Sequence, residues 1–232
     1  MDAVLLCAGL GTRLRPHTLT TPKPLLAVRG RPILDWTLGA LPKSVDRVIV
    51  VVQYLAVQIE KYLQGQKYFS QWTAVPQGEP RGTGDALRRC HDWIRSDRFL
   101  VLNGDDLFGA ADLAELAQRP AGVLCASVDD PRKFGIAFLK SDGTLDKLVE
   151  KPDLDGPLLA NTGAYLFPKN VFEIELRLSP RGEFEITDYV TTLASRQPVH
   201  VVRAGFWFPI GTEDAWNQAK EIDLDKVLTA KK

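Results

Sequence analysis

The first eighteen residues constrain the fold of this chain more than any other stretch. Residues 4–7 form an unbroken apolar run, and a turn that contains Gly9 and Gly11 follows at once. A short apolar run bounded by glycine is typical of a buried strand. Glycine allows a ligand to approach the backbone closely, and successive backbone N–H groups in such a turn form a concave anion site. The sequence therefore predicts a strand that ends in an anion-binding turn.

Three cationic residues accompany this turn, which we call the first glycine loop (residues 8–13). Arg13, Arg15 and Lys23 lie within eleven residues of the sequence, and together with the glycines they predict a phosphate site. Two better-known phosphate loops are excluded. A dinucleotide-binding loop needs a third glycine where this chain has Leu14, and a Walker loop needs a Gly-Lys-Ser/Thr tripeptide that the sequence lacks.

The composition excludes binding of nucleic acid or a membrane through net charge alone. Lys plus Arg and Asp plus Glu both number 29, so the net charge is zero and gives no bulk attraction to either. Cys7, Cys90 and Cys125 are far apart and are expected to be buried and reduced. No apolar stretch approaches the ~20 residues of a membrane span, and the N-terminus lacks the pattern of a signal peptide. We expect a cytoplasmic protein.

The rest of the first half alternates between apolar runs and amphipathic segments. Further buried strands are predicted at residues 47–52, 72–75 and 99–102, with helices between them. This alternation predicts a parallel sheet with right-handed crossovers. Ligands of such sheets bind at the carboxyl ends of the strands, so the segments that follow the strands are the candidates for a site.

Two of these strand ends are followed by residues that could bind a ligand or a metal ion. A second glycine loop (residues 77–84) follows the third strand and includes Gln77 and Gly82. Asp105 and Asp106 follow the fourth strand. Mg²⁺ usually binds one or two carboxylates plus the phosphates of its substrate, so this pair predicts a Mg²⁺ site with Asp105 as the first choice.

The second half has a different pattern. Short strands are predicted at residues 122–128, 136–139 and 145–149, and the last two form a hairpin. A helix is predicted over residues 186–194, and a terminal helix begins at Glu213. This half is expected to form a small mixed-sheet lobe.

The spacing of the first glycine loop resembles that of the sugar-1-phosphate nucleotidyltransferases. The matching residues are Gly9, Gly11, Thr12, Arg13, Pro16, Thr18, Pro22 and Lys23. Four later segments resemble sugar-site motifs of this family, at residues 134–135, 150–152, 161–163 and 182–188. The resemblance covers nearly the whole chain, from Ala3 to about Trp216.

This resemblance implies a fold, and it implies that the two halves of the chain bind different substrates. The fold is α/β, with a Rossmann-like, mostly parallel central sheet, helices on both faces and a small mixed-sheet sugar-binding lobe, the GT-A-like architecture. Residues 1–232 would form a single domain, in which about residues 1–120 bind the nucleotide and about residues 121–232 bind the sugar and supply the terminal helix. The left-handed β-helix of many larger relatives has no counterpart, so an acetyltransferase activity is not expected.

The resemblance also implies the residues of the site. The nucleotide would be bound by Leu6, Ala8, Gly9, Gly11, Thr12, Arg13, Gln77, Gly82 and Thr83. The sugar phosphate would be bound by Asn103, Gly135, Glu150, Lys151, Asn161, Thr162 and Glu183. The catalytic residues would be Arg13, Lys23 and Asp105, of which Asp105 would also bind Mg²⁺.

One position departs from the family pattern. Relatives usually carry Asp or Asn, a second metal ligand, where this chain has Pro209. Either Asp105 holds Mg²⁺ with phosphates and water alone, or Glu213 or Asp214 substitutes for the missing carboxylate. Pro209 also leaves open a protein of another class, a catalytically inactive regulatory subunit that binds a nucleotide sugar.

The implied activity is transfer of a nucleotidyl group from an NTP to a sugar 1-phosphate, which forms an NDP-sugar and pyrophosphate. The Gln77 amide can both donate to and accept from a pyrimidine edge, which favours UTP or dTTP. Two alternatives change the acceptor. A cytidylyltransferase of phosphocholine would need an aromatic cage from Phe206, Trp207 and Phe208, and a guanylyltransferase would use mannose 1-phosphate. The sugar-site segments favour a sugar, and a homo-oligomer is left open.

Overall fold

The computed structural model describes residues 1–228, which contain thirteen β-strands and seven α-helices. The strands are β1 (Asp2–Leu6), β2 (Ala27–Val28), β3 (Arg31–Pro32), β4 (Arg47–Val52), β5 (Gln71–Pro76), β6 (Arg98–Asn103), β7 (Leu107–Phe108), β8 (Gly122–Val128), β9 (Gly135–Leu139), β10 (Leu145–Glu150), β11 (Leu158–Pro168), β12 (His200–Arg203) and β13 (Trp207–Phe208). The helices are α1 (Ile33–Ala40), α2 (Ala56–Gly65), α3 (Thr83–Arg88), α4 (Ala110–Leu116), α5 (Ile186–Arg196), α6 (Glu213–Ala219) and α7 (Leu224–Leu228).

Nine of the strands form one central sheet in the order β10-β9-β11-β6-β1-β4-β5, with β8 paired to β11 and β12 paired to β8. From β6 to β5 the neighbours are parallel, as the alternating pattern predicts. Strand β11 is antiparallel to β6, β8 and β9. The predicted α/β fold is confirmed, and the mixed part of the sheet continues the parallel part without a break.

Strand β1 shows why this sheet is covered on both faces. Its side chains alternate between two cores, because successive residues of a strand point to opposite faces. Ala3 and Leu5 pack in a cluster with residues of α1, α2 and α4, whereas Val4 packs in a cluster with residues of α3 and α5. Burial on both faces explains the continuous apolar run that predicts the strand.

The helices follow from their apolar spacing. In α5 the buried residues are Ile186, Tyr189, Val190, Leu193 and Ala194, which is the i, i+3, i+4, i+7 spacing of an amphipathic helix. Sequence reasoning missed α4 and the two-stranded sheet of β7 and β13. Among the described residues, no helix combines the length and the apolar character needed to cross a bilayer.

Candidate active site

The first glycine loop leaves the carboxyl end of β1, at the centre of the sheet. Gly11 has a φ of +60°, and a Cβ there would lie 3.0 Å from a methyl group of Thr18 and 3.2 Å from Cβ of Lys23. The Thr18 hydroxyl donates to the Gly11 carbonyl at 2.8 Å. The turn therefore needs glycine at position 11, and its tight packing brings Lys23 to the loop.

Strand register places Asp105 beside this loop. Leu6 of β1 is aligned with Asn103 of β6, and the Gly104 N–H donates to the Leu6 carbonyl at 3.0 Å. Asp105 is the next residue, and its carboxylate accepts a hydrogen bond from Lys23 Nζ at 2.6 Å. One small cleft is lined by Leu6, Cys7, Gly9, Gly11, Lys23, Pro24 and Asp105. The predicted phosphate loop and the predicted metal ligand thus share one cleft.

The Arg13 side chain is exposed at the same cleft end of the sheet. A Cβ on Gly211 would lie 3.5 Å from its Nη1 atom, so the guanidinium lies next to this backbone segment, with room for about one methyl group between them. Arg13 makes no ion pair with another described residue. Its charge is therefore available to an anion.

Asp106 differs from Asp105 although the two are adjacent. The Asp105 side chain is 36% exposed, whereas Asp106 is buried and its Oδ1 accepts the Ile210 N–H at 3.2 Å. Burial and the neighbouring Asp105 charge raise the pKa of Asp106 to about 7, against the opposing effects of the Lys23 charge and the Ile210 N–H. Asp105 is the carboxylate that a ligand can reach.

The cysteine nearest the cleft is not a nucleophile. Cys7 is buried, and its thiol pKa is raised by burial and by the charge of Asp105. The thiolate is the reactive form, so Cys7 is inert. Cys90 and Cys125 are also free and buried, which confirms the prediction for all three cysteines.

The second glycine loop lies at the same edge of the sheet, beyond β5, but it is packed differently. A Cβ on Gly82 would overlap the carbonyl oxygen of Phe184 and lie 2.9 Å from its nitrogen. The buried Gln77 side chain donates to the Gly82 carbonyl at 3.0 Å. Thr83 accepts the Ile186 N–H at 3.1 Å through its hydroxyl oxygen. This loop is therefore attached to residues 183–186 of the second half.

The predicted sugar-site residues form a row across neighbouring strands, which we call the acceptor row (Glu150, Gly135, Asn161, Gly163 and Asn103). Glu150 of β10 is aligned with Gly135 of β9. A Cβ on Gly135 would lie 2.9 Å from Glu150 Oε2 and 3.9 Å from Asn161 Cβ. Gly163 of β11, with a φ of +81°, packs directly against the Asn103 amide of β6. The row thus ends beside β1 and the cleft.

Two polar side chains of β11 are already hydrogen-bonded within the protein. Asn161 donates to the Tyr165 hydroxyl at 2.7 Å, and its Oδ1 accepts the Gly163 N–H at 3.1 Å. Thr162 is buried and donates to the Leu124 carbonyl at 2.8 Å. The Thr162 hydroxyl is therefore already used inside the protein, while Asn161 presents an amide in a fixed orientation. The strand pairing is irregular between Asn161 and Tyr165, as is common next to binding sites.

Two charged residues complete the predicted set. Lys151 is exposed, has a φ of +44° and donates its N–H to the Phe134 carbonyl at 2.9 Å. This turn places Lys151 directly after the acceptor row. Glu183 is exposed, and its Cβ would lie 3.0 Å from a Cβ on Gly82, so it belongs to the contact between the second glycine loop and the second half.

The three aromatic residues near Pro209 do not form a cage. Trp207 packs edge-to-face against Phe134, with ring centroids 5.4 Å apart. Phe206 and Phe208 pack instead against a separate cluster around Leu14 and Ile210. A cage for a quaternary ammonium needs aromatic faces around one point, so these residues give no support to phosphocholine as the acceptor.

The residues present fit a divalent cation only in part. Asp105 is reachable, but the described residues contain no group of three or more His, Cys, Asp or Glu side chains that could hold a metal ion. Glu213, a candidate substitute ligand, is 3.1 Å from His17 Nε2 instead. A cation that keeps several waters and shares substrate phosphates needs only one or two carboxylates. Asp105 could hold Mg²⁺ in this way together with a bound triphosphate.

Sequence reasoning missed three features of the site. These are the Lys23–Asp105 ion pair, the support of Asn161 by Tyr165, and the anchoring of Ile210 by Asp106. Asn161 and Tyr165 are four residues apart, so the period of two places them on one strand face. That signal was available, whereas the other two contacts join distant parts of the chain.

A sequence profile of the family described as "Nucleotidyl transferase" matches residues 2–226 of this chain. The chain belongs to the nucleotidyl transferase family. The bifunctional protein GlmU of Methanocaldococcus jannaschii is 34% identical over 232 residues, which cover 99% of this chain and 56% of that protein. The glucose-1-phosphate thymidylyltransferase of Streptomyces griseus is 33% identical over 239 residues, which cover 98% and 66%. The chain spans little more than half the length of the GlmU relatives.

Solved structures agree with this family fold. A crystal structure from Bacillus anthracis, provisionally named a glucose-1-phosphate thymidylyltransferase, superposes with a TM-score of 0.85 at 29% identity. The superposed residues cover 97% of this chain and 96% of the Bacillus anthracis chain. The UDP-glucose pyrophosphorylase from Acinetobacter baumanii superposes with a TM-score of 0.80 at 23% identity, covering 94% and 91%, and supports the fold alone.

Proposed function

We propose that this chain transfers a nucleotidyl group from an NTP to a sugar 1-phosphate and forms an NDP-sugar and pyrophosphate. The observation that carries the proposal is the position of the acceptor row. It begins at Glu150 and ends at Asn103, directly beside the strand that bears the first glycine loop. A nucleotide in the cleft and a sugar on the row would therefore meet near Asp105.

The residues of this chain would position charge for an in-line displacement. The phosphate oxygen of the acceptor attacks the α-phosphorus, the bond from that phosphorus to the bridging oxygen breaks, and pyrophosphate leaves. Arg13, whose guanidinium forms no ion pair with a carboxylate of residues 1–228, would bind the leaving pyrophosphate. Lys23 would stabilise charge at the α-phosphate, and Lys151 would hold the attacking phosphate. Such catalysis depends on orientation and on preorganised charge.

Magnesium would complete this arrangement. Asp105 is the carboxylate that would hold it, with the phosphates of the substrate as further ligands. When bound, the cation would neutralise phosphate charge and assist the displacement. Lys23 Nζ already bonds one oxygen of the Asp105 carboxylate, so the two cations would have to share or exchange that carboxylate when the nucleotide binds.

The base and the acceptor are proposed from the site and its relatives. UTP or dTTP is favoured by the family resemblance at Gln77, one of whose amide N–H groups already donates to the Gly82 carbonyl. The Streptomyces griseus relative is named a thymidylyltransferase. In the same proposal residues 1–120 or so bind the nucleotide and residues 121–232 or so bind the sugar. A guanylyltransferase of mannose 1-phosphate and an inactive regulatory subunit are the alternatives that the experiment below distinguishes.

A pyrophosphate-release assay tests the proposal. The protein is incubated with Mg²⁺, each of the five common NTPs and a panel of sugar 1-phosphates, with phosphocholine as a non-sugar acceptor. Release with UTP or dTTP that depends on the sugar 1-phosphate supports the proposal. Release only with GTP and mannose 1-phosphate supports the guanylyltransferase. Binding of a nucleotide sugar, seen as a thermal shift, without release from any pair supports the regulatory subunit.

A further inference from the structure

A short segment after β12 runs from the neighbourhood of Asp106 to that of Arg13. We call it the strap (residues 207–211), which comprises β13 and the three residues after it. Strand β13 pairs with β7, so that Phe208 is aligned with Leu107. This register carries the following residues of the strap past Asp106. The strap then reaches the first glycine loop, where a Cβ on Gly211 would make ordinary contact with the Arg13 guanidinium.

The side chain of Asp106 is the polar anchor of the strap. It is buried, and its Oδ1 accepts the Ile210 N–H at 3.2 Å. Ile210 itself is fully buried in the cluster that contains Leu14, the residue after the first glycine loop. A buried carboxylate that accepts a backbone N–H fixes both groups, because leaving either unpaired is unfavourable.

The Asp106 anchor has a consequence for Arg13. The exposed guanidinium has no ion pair with a described residue that would hold it in place. Its close neighbour is the backbone at Gly211, one residue beyond the anchored Ile210. A strap that moved would therefore change the space beside Arg13, which the backbone at Gly211 now borders.

We infer that Asp106 is a positioning residue, which anchors the strap through Ile210 and thereby holds Arg13 in place for the leaving pyrophosphate. The inference rests on the proposed function, because it assigns Arg13 to pyrophosphate. It also separates the two adjacent aspartates: Asp105 faces the ligand, and Asp106 acts through the backbone of another segment. Asn at position 106 keeps an oxygen that can accept the Ile210 N–H, whereas Ala does not.

The test is the binding of Mg²⁺-pyrophosphate to the whole protein, measured by isothermal titration calorimetry. Asp106→Ala should weaken binding by about tenfold, a free energy no larger than that of one buried hydrogen bond, because the strap beside Arg13 loses its anchor. Asp106→Asn should stay within about threefold of the wild type, since it keeps the acceptor. In a double-mutant cycle, Asp106→Ala should add little to Arg13→Ala, because both act on one contact.

Three results would overturn the inference. Equal losses in Asp106→Asn and Asp106→Ala would show that the charge matters, as for a metal ligand. Additive losses with Arg13→Ala would show that Asp106 does not act through Arg13. Unchanged binding in Asp106→Ala would show that the strap does not position it. Asp2→Ala is the matched control, because Asp2 is also a buried carboxylate that accepts backbone N–H groups, at the opposite end of β1.

Amide hydrogen exchange tests the strap without any ligand. The Ile210 N–H should lose protection in Asp106→Ala and keep it in Asp106→Asn, while Asp2→Ala leaves it protected. Unchanged protection of the Ile210 N–H in Asp106→Ala would show that Asp106 does not anchor the strap. A wild-type protein that binds no pyrophosphate would defeat the proposed function and the role of Arg13, and amide exchange alone would then decide whether Asp106 anchors the strap.

Discussion

The two glycine loops follow parallel strands of one sheet and end at the same edge, yet their glycines serve different purposes. A Cβ on Gly9 would meet no atom within 4 Å, so the space beside it is open to a ligand. A Cβ on Gly82 would collide with the backbone of Phe184. At Gly9 the first loop is an open turn beside Asp105, although Gly11 is packed against Thr18 and Lys23. At Gly82 the second loop is a joint between the two halves of the chain.

Glycines in a loop after a strand can therefore be required for two different physical reasons, and the sequence alone does not distinguish them. In one, glycine leaves room for a phosphate. In the other, glycine leaves room for a second segment of the same chain. Substitution should separate them, since the first kind of glycine affects ligand binding and the second affects stability.

Removing a charge from the open cleft should have the largest effect. Asp105→Ala or Arg13→Ala should lower the turnover number on the order of 10² or more, the size of one lost transition-state contact. The measurement is pyrophosphate release at saturating substrates. Arg196→Ala, which removes an exposed arginine at the end of α5, is the control and should be unaffected. Near-normal turnover in both site variants would contradict the assignment of the cleft.

Filling the packed loop should mainly reduce stability. Gly82→Ala places a Cβ against Phe184 at a φ of +103°, so the free energy of unfolding should fall by about 2–3 kcal/mol. Urea denaturation measures this change. A variant as stable as the wild type would show that the second loop is not a close joint.

Filling the open loop should do the reverse. Gly9→Ala should weaken NTP binding about tenfold, or about 1.4 kcal/mol, because the added methyl group occupies space that a phosphate would use. Its free energy of unfolding should change by no more than about 0.5 kcal/mol. Calorimetric titration and urea denaturation give the two values. A large loss of stability with unchanged nucleotide affinity would reverse the roles of the two loops.

The smallest effect is expected at Gln77. Gln77→Glu replaces the N–H donor that bonds the Gly82 carbonyl, so the free energy of unfolding should fall by about 1 kcal/mol. Gln53→Glu is a matched control, because the Gln53 oxygen accepts the Gly78 N–H and glutamate keeps that acceptor. If both variants were equally stable, the Gln77 amide would not be needed to hold the second loop.

The sequence predicts the parallel half of the fold well because its strands are buried on both faces. Residues 47–52 are predicted as a strand, and β4 spans Arg47–Val52 with every residue buried. The edge of the sheet and the small strands β7 and β13 are set by contacts between distant segments. Two-residue strands leave too little periodicity in the sequence to be recognised.

The candidate site divides in the same way. The glycine spacing and Asp105 follow directly after apolar strands, and the common edge of a parallel sheet brings them together. The resemblance places Thr162 on the sugar, but its hydroxyl is bound to Leu124. The pairing of β11 with β8 decides which polar side chains of β11 are hydrogen-bonded within the protein. No local sequence pattern reveals this pairing.

The most direct test of the central claim is a crystal structure of the protein with Mg²⁺ and dTTP or UTP. We expect triphosphate density along residues 8–13, with the metal ion bound to Asp105 and Arg13 at the terminal phosphates. Triphosphate density on the second glycine loop, or a metal ion held away from Asp105, would contradict it.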